Sequence, residues 1–115
     1  MTMYLKNPFT TETRLLYMGV WICWVCGQNG TQRGGLEIHH IVGRSSNSPL
    51  NSALVCHTCH EHLCHSQTEE QFLFFKTMRF LKAINYILTS QDMYFLEDNK
   101  QRLFSVEFME WMNKI

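Results

Sequence analysis

The apolar and polar positions divide the chain into three stretches of different period. After a short lead over residues 1–10 that contains Pro8, Thr10 or Thr11 is placed to cap a helix with Glu12 in its first turn, and Leu15, Leu16 and Val20 recur on the side that would face a core. From Gly19 to Val25 the pattern shifts to aromatic and β-branched residues. The polar run Gln28 to Gly35, with three glycines, reads as a loop. Leu36 to Val42 reads as a strand with Leu36 and Ile38 on one face, Gly43 to Asn51 as a loop closing a hairpin or Ω-like turn, and Ala53 to Cys56 as the return strand. Thr58 to Cys64 contains neither Gly nor Pro and is assigned to a helix.

The rest is helical in period. Ser66 and Glu69 have capping-box spacing, and Phe72, Leu73, Phe75, Met78, Phe80, Leu81, Ile84, Ile87 and Leu88 make a stripe wider than one buried face requires. Ser90 and Gln91 interrupt it, a turn is expected to about Asn99, and Ser105 caps a last helix in which Phe108, Trp111, Met112 and Ile115 recur at helical spacing. The fold class is α+β: a strand, loop, strand, helix unit flanked by an N-terminal helix and a C-terminal helical region. With no repeat or linker in view, residues 1–115 are expected to form a single domain with a core at 21–65 and a helical extension at 66–115.

Composition narrows the function. The 115 residues carry 10 basic and 10 acidic side chains, so a broadly basic nucleic-acid coat is excluded, though a local patch is not. The longest apolar stretch, Leu15 to Val25, is interrupted by Gly19 and falls short of the about 20 residues a membrane span needs. No small-x-small cleavage site follows it, so the expectation is a soluble, cytoplasmic chain without a targeting segment. The five cysteines and six histidines all lie between Cys23 and His65. In a reducing compartment, paired C-x2-C spacing points to zinc rather than disulfides. Cys23-x2-Cys26 and Cys56-x2-Cys59 therefore predict a structural zinc site, with Gly27 supplying the positive φ of a zinc knuckle. Four thiolates leave the ion no open position, so its role is to pin two segments together.

Between the two pairs stands Leu36-Glu37-Ile38-His39-His40-Ile41, then Asn51 five residues before Cys56, then Cys59-His60. On these residues the sequence resembles the HNH endonucleases, the ββα-metal or His-Me finger family, in its zinc-stapled four-cysteine form. The resemblance covers about residues 21 to 65. It implies a small ββα-metal finger that hydrolyses DNA phosphodiester bonds with a divalent ion (Mg2+, Mn2+, Ni2+ or Zn2+), by nicking or double-strand cleavage, leaving 5′-phosphate and 3′-hydroxyl ends. It further implies His40 as general base, Asn51 as the residue that ties the loop to the strand carrying the base, and His39 and His60 as ligands of the catalytic ion. Imidazole suits the base because an unperturbed pKa of about 6.5 leaves it largely neutral near pH 7. Adjacent strand residues point to opposite faces, so both histidines serve one site only if the strand twists or bulges. Glu37, alternating with His39, is either an acceptor for a ligand imidazole or a solvated strand residue.

The departure from the family pattern is at its final histidine, where Cys64 stands with His65 beside it. Cys64 as a thiolate ligand, His65 as a ligand, and an ion held by His39 and His60 with water and phosphate all remain open. His57 and His62 fall off that face and read as surface or core residues. Arg44 and Arg33, with Ser45, Ser46 and Ser48, are candidate phosphate contacts. Lys76, Arg79 and Lys82 are spaced by three along a helix, as a DNA-facing stripe or a solvated face. Residues 91–115 carry three basic and five acidic side chains and are expected to face away from DNA. The expected partner is double-stranded DNA. The wide apolar stripe fits a homodimer and, equally, packing among the helices. Short members of the family occur in phages, which would place the protein in the host cytoplasm. Two other readings stay open: a non-catalytic zinc module retaining the fold for DNA or protein binding, and a second zinc site built from His60, His62, Cys64 and His65.

Overall fold

The fold was analysed in a computed structural model that describes residues 9–43 and 46–114. Its elements are α1 (Thr11–Leu16), a 3-10 turn (Gly30–Gln32), β1 (Leu36–His40), a second 3-10 turn (Pro49–Asn51), β2 (Ser52–Cys56), α2 (His57–His60), α3 (Gln67–Ala83), α4 (Ser90–Leu103) and α5 (Val106–Asn113). The strands pair antiparallel in one unbroken register, from Leu36 opposite Cys56 to His40 opposite Ser52. The α+β class and the strand, loop, strand, helix order expected from the sequence are therefore present. No helix among the described residues is long and apolar enough to cross a membrane.

Every residue of β2 is buried, because β1 pairs along one edge and α3 packs across the strand. Thr77, in the middle of α3, ties the layers together. Its hydroxyl donates to the Ser52 carbonyl at 2.5 Å and accepts from Trp24 Nε1 at 3.0 Å. Tyr17 adds a hydroxyl contact to Ser52 Oγ at 2.7 Å. The inner side of α1 is Thr13 with Tyr17, whereas Leu15, expected inward, is exposed. The helix ends at Leu16, so a helical period counted through Val20 describes backbone that is no longer helical.

Three helix boundaries differ from the sequence reading. The helix carrying His60 is a single turn that stops there, well short of Cys64. In α3, Asn85 takes a left-handed φ of +59° just past the end, the Tyr86 N–H bonds to Leu81 O at 2.9 Å and the Asn85 N–H to Lys82 O at 3.0 Å. This double closure ends the helix at Ala83 and sets Ile84, Ile87 and Leu88 outside it. The segment expected as a turn to Asn99 is instead α4, started by a reciprocal capping box between Thr89 and Asp92. Asp92 is fully buried and also accepts from Ser48 Oγ at 2.6 Å and Tyr86 Oη at 2.7 Å, which joins α4 to the loop leading into β2.

Behind α3, Phe108 of α5 is wholly buried against Phe74, Phe104 and Trp111, with ring centres 5.1, 4.7 and 5.8 Å away. Burying one such ring stabilises by about 2–3 kcal/mol. The wide stripe thus divides: Leu73 and Leu81 join this core beside Phe74, while Phe72, Ile84, Ile87 and Leu88 remain exposed.

Candidate active site and cysteine cluster

Two tight turns bring the cysteines together. At the first, the Gly27 N–H bonds to Cys23 O at 3.0 Å with Gly27 at φ +71°, and the Val25 N–H points at Cys23 Sγ at 3.3 Å. At the second, the Cys59 N–H points at Cys56 Sγ at 3.4 Å. The intervening loop lies close over the hairpin: a Cβ on Gly30 would fall 2.4 Å from Leu36 Cδ2, so any side chain there would have to displace Leu36. As a result the Sγ atoms of Cys23, Cys26, Cys56 and Cys59 all lie within 4.8 Å of one another. Burial raises the Cys56 thiol, but the Cys59 N–H and the Arg33 guanidinium outweigh it and pull the pKa down to about 6. Burial and the neighbouring sulfurs push Cys59 up to about 12. Four converging soft donors with amides and an arginine facing them fit a tetrahedral zinc ion, whose charge would let all four ionise.

Arg33 belongs to this cluster. Its Nε donates to Cys56 Sγ at 3.4 Å, and the Cys56 and Cys59 sulfurs raise its pKa further above its ordinary value. Its guanidinium therefore has a partner that the sequence reading, which offered it to a phosphate, did not foresee.

On the other side of the hairpin, His39, His40, His60, His65, Glu70 and Arg102 line a cavity of about 540 Å3. His39 is buried, and its Nδ1 lies 3.2 Å from His60 Nε2. Burial, followed by the fields of His60, His65 and His40, depresses His39 to about 4, so the ring stays neutral with a lone pair to offer. Glu37 stands behind the pair. One carboxylate oxygen accepts from His60 Nδ1 at 2.5 Å and the other from His57 Nδ1 at 2.9 Å. Burial of Glu37 opposes its ionisation, but the two imidazoles prevail and hold it below its ordinary value. With His60 Nδ1–H engaged by Glu37, its Nε2 carries the lone pair that faces His39.

His40 also lines the cavity although β1 has no bulge through it; the strand ends at this residue and the chain turns away. Its ring stacks on Phe9 at 4.0 Å and its Nε2 meets Asn47 Oδ1 at 2.9 Å. Asn47 was not singled out in the sequence, where nothing distinguishes it from its polar neighbours. Asn51 is fully buried and works on the same loop. Its Nδ2 donates to Gly43 O at 2.8 Å and Ser46 O at 2.9 Å, and its Oδ1 accepts from the Val42 N–H at 2.9 Å. It thus ties the loop to the end of β1, as expected, without touching the His40 ring itself.

Because α2 stops at His60, Cys64 does not lie one helical turn beyond it. Cys64 is exposed and outside the cavity. His65, itself exposed, lines the cavity instead, with a left-handed φ of +58° and its ring centre 5.5 Å from that of His39. Glu69 fixes this reversal: Ser66 Oγ accepts from its N–H at 3.2 Å, while its carboxylate accepts from the His65 N–H at 2.8 Å and the Cys64 N–H at 3.1 Å. The capping signal was legible, but the reach of Glu69 to two amides before the cap was not.

The remaining candidates lie away from the histidine pair or outside the described residues. Lys76, Arg79 and Lys82 lie exposed along α3, with Lys76 over the Phe72 ring and Arg79 over Phe75. His57 pairs with Glu37 and Glu61, and His62 bonds to Thr58 O. Ser48 is buried and committed to Asp92. Arg44 and Ser45 lie outside the described residues. Of residues 91–115, expected to face away from DNA, Arg102 reaches the cavity from the last turn of α4.

Comparison with known proteins agrees with this arrangement. Residues 23–68 match the HNH endonuclease family. The matched HNH segment runs from Cys23, the first of the clustered cysteines, through both strands and α2 to the start of α3, so it includes all four clustered cysteines and the four cavity histidines. Glu70 and Arg102 fall beyond it. No curated protein and no solved structure matches the chain.

Proposed function

We propose that the protein is a divalent-metal-dependent endonuclease that hydrolyses phosphodiester bonds of double-stranded DNA. The observation that carries the reading is the convergence of His39 Nδ1 and His60 Nε2 at 3.2 Å, backed by Glu37, in one cavity with His40. His39 and His60 would hold a divalent ion through these two facing nitrogens. A divalent ion at that point would supply Lewis-acid stabilisation for the charge developing on the phosphate and the leaving 3′ oxygen.

The chain's own residues do the rest. Asn47 Oδ1, accepting from His40 Nε2–H, assigns the basic lone pair to Nδ1, which takes the proton from the attacking water. Phe9 stacked on the ring and Asn51 holding the loop fix the direction of that lone pair. Glu37 orients His60 and keeps its Nδ1 protonated. Buried His39 resists protonation, so it remains a ligand at mildly acidic pH. His65, not Cys64, is the residue near the pair, with its ring centre 5.5 Å from that of His39, which supports the catalytic reading over a non-catalytic module. Lys76, Arg79 and Lys82 are proposed to meet DNA backbone along α3. The exposed Ile84, Ile87 and Leu88 at its end are proposed to pair two copies; a monomer mass by light scattering at micromolar protein would end that part.

The test is plasmid cleavage. Wild-type protein with Mg2+, Mn2+ or Ni2+ is expected to nick or linearise supercoiled DNA, and a His40→Ala variant with unchanged zinc content is expected not to. Equal cleavage by both, or by neither, would overturn the reading.

A further inference from the structure

Outside the matched family segment, the cavity has one cationic wall. Arg102, in the last turn of α4, donates through Nε to Glu70 Oε1 at 2.7 Å and through Nη2 to Glu70 Oε2 at 2.8 Å. Glu70 is 4% exposed, whereas about half of the Arg102 side chain is open. The pair is therefore asymmetric, with a buried carboxylate holding an accessible guanidinium by its inner edge. A guanidinium carries five N–H donors in a rigid fork. Two are committed to Glu70 and three are left for another acceptor, on a residue that lines the cavity together with His39, His40, His60 and His65. The backbone is fixed as well: the Arg102 carbonyl accepts from Gln67 Nε2 at 3.2 Å and Gln71 Nε2 at 3.1 Å, so α3 clamps the end of α4 at this residue.

We propose that Arg102 is a phosphate-binding residue of the nuclease site, contributed by the helical extension and aimed by Glu70 at the DNA strand that enters the histidine cavity. Among the described residues lining that cavity it is the one permanent cation, since imidazoles that serve as ligand and base must be neutral. A planar fork suits a phosphodiester, which presents two non-bridging oxygens that can accept from adjacent N–H groups. Glu70 would act through Arg102 as a positioning residue: it neutralises part of the charge but removes the rotational freedom that an exposed arginine would otherwise lose on binding. The extension is then part of the active site. This inference rests on the endonuclease reading.

The variants are Arg102→Gln, Arg102→Lys and the double variant Glu70→Gln with Arg102→Gln, which leaves no buried carboxylate unpaired. Lys100→Gln, two residues away on the exposed face and paired with Glu97, controls for loss of any one positive charge. Duplex DNA binding is followed by fluorescence anisotropy across a salt series in Ca2+, and cleavage by steady-state kinetics in the ion that supports it. Folding is checked by thermal melting and zinc content. The double variant is expected to melt near wild type, to lose about tenfold or more in DNA affinity, and to lower the slope of log K against log salt by about one. Arg102→Lys should recover part of the affinity but not the cleavage rate, because a point charge replaces the fork; Lys100→Gln should stay within about twofold. A folded double variant with wild-type salt slope and cleavage would overturn the inference while leaving the endonuclease reading intact. Wild-type protein that binds DNA without cleaving it would overturn that reading, with the Arg102 contact still decided by the salt slope. No binding at all would overturn both.

Discussion

Replacing Asn51 with alanine tests how the site is held. The side chain is fully buried and makes three hydrogen bonds, to Gly43 O, Ser46 O and the Val42 N–H. Each is worth about 1 kcal/mol, and the truncation also leaves the buried partners without their bonds, so the expected loss is about 3 kcal/mol. For a chain of this size, at about 4 °C per kcal/mol, that lowers Tm by roughly 12 °C. The consequence for chemistry should be separable from stability. The loop that Asn51 holds also carries Asn47, which fixes the His40 ring, so cleavage at a temperature where the variant remains folded is expected to fall at least about tenfold. Asn51→Asp is a sharper probe: it keeps an acceptor for Val42 but turns a carboxylate toward two carbonyls, and it should be at least as damaging as alanine. Circular dichroism melts of zinc-loaded protein, paired with plasmid nicking, read both effects. An Asn51→Ala variant within about 1 kcal/mol of wild type that cleaves at the wild-type rate would refute the argument.

Three further outcomes follow from the geometry. Purified protein should carry one tightly held zinc per chain, measured by atomic emission, and Cys56→Ser or prolonged chelation should release it with loss of the cooperative melt; a metal-free chain that melts normally would remove the staple. Glu37→Gln should weaken divalent-ion binding at the histidine pair by about 10–100-fold in titration calorimetry with Mn2+ or Ni2+, because His60 loses its charged acceptor; unchanged affinity would assign Glu37 to the surface. Without added divalent ion, stability should fall as pH drops from about 6.5 to about 4. His39 has a folded-state pKa near 4 against about 6.5 when unfolded, so the unfolded chain binds the extra proton across that window, at a cost approaching about 3 kcal/mol. Denaturant melts of His39→Gln should show a shallower fall over that window than wild type, and an identical pH profile would show that His39 does not contribute to it.

Much of the site was legible because its signals are local. Two C-x2-C pairs, the His39-His40 strand and Ser66 before Glu69 are short motifs whose geometry follows from a knuckle, a strand and a cap. What the sequence did not reveal depends on how far helices run and where they meet. The sequence predicts a longer helix than the single turn ending at His60, because nothing between Thr58 and Cys64 breaks one; the reversal depends on Glu69 gathering the amides of Cys64 and His65. That contact substitutes His65 for Cys64 at the cavity. Similarly, Ser90 and Gln91 read as breakers of a helical stripe, yet they lie inside the Thr89–Asp92 capping box that starts α4. Arg102 reaches the cavity only through that helix. Its pairing with Glu70 spans 32 positions and has no local signature.

The most direct measurement of the central claim is metal content and occupancy at the two centres together with cleavage. Protein holding one zinc, given Mn2+ and supercoiled plasmid, is expected to produce nicked or linear DNA with 5′-phosphate ends, while His39→Ala and His40→Ala variants retain the zinc and lose the cleavage. Loss of Mn2+ binding is expected in the first of these variants and not in the second. Zinc-loaded wild-type protein that binds Mn2+ at the histidine pair and leaves the plasmid intact would contradict the account.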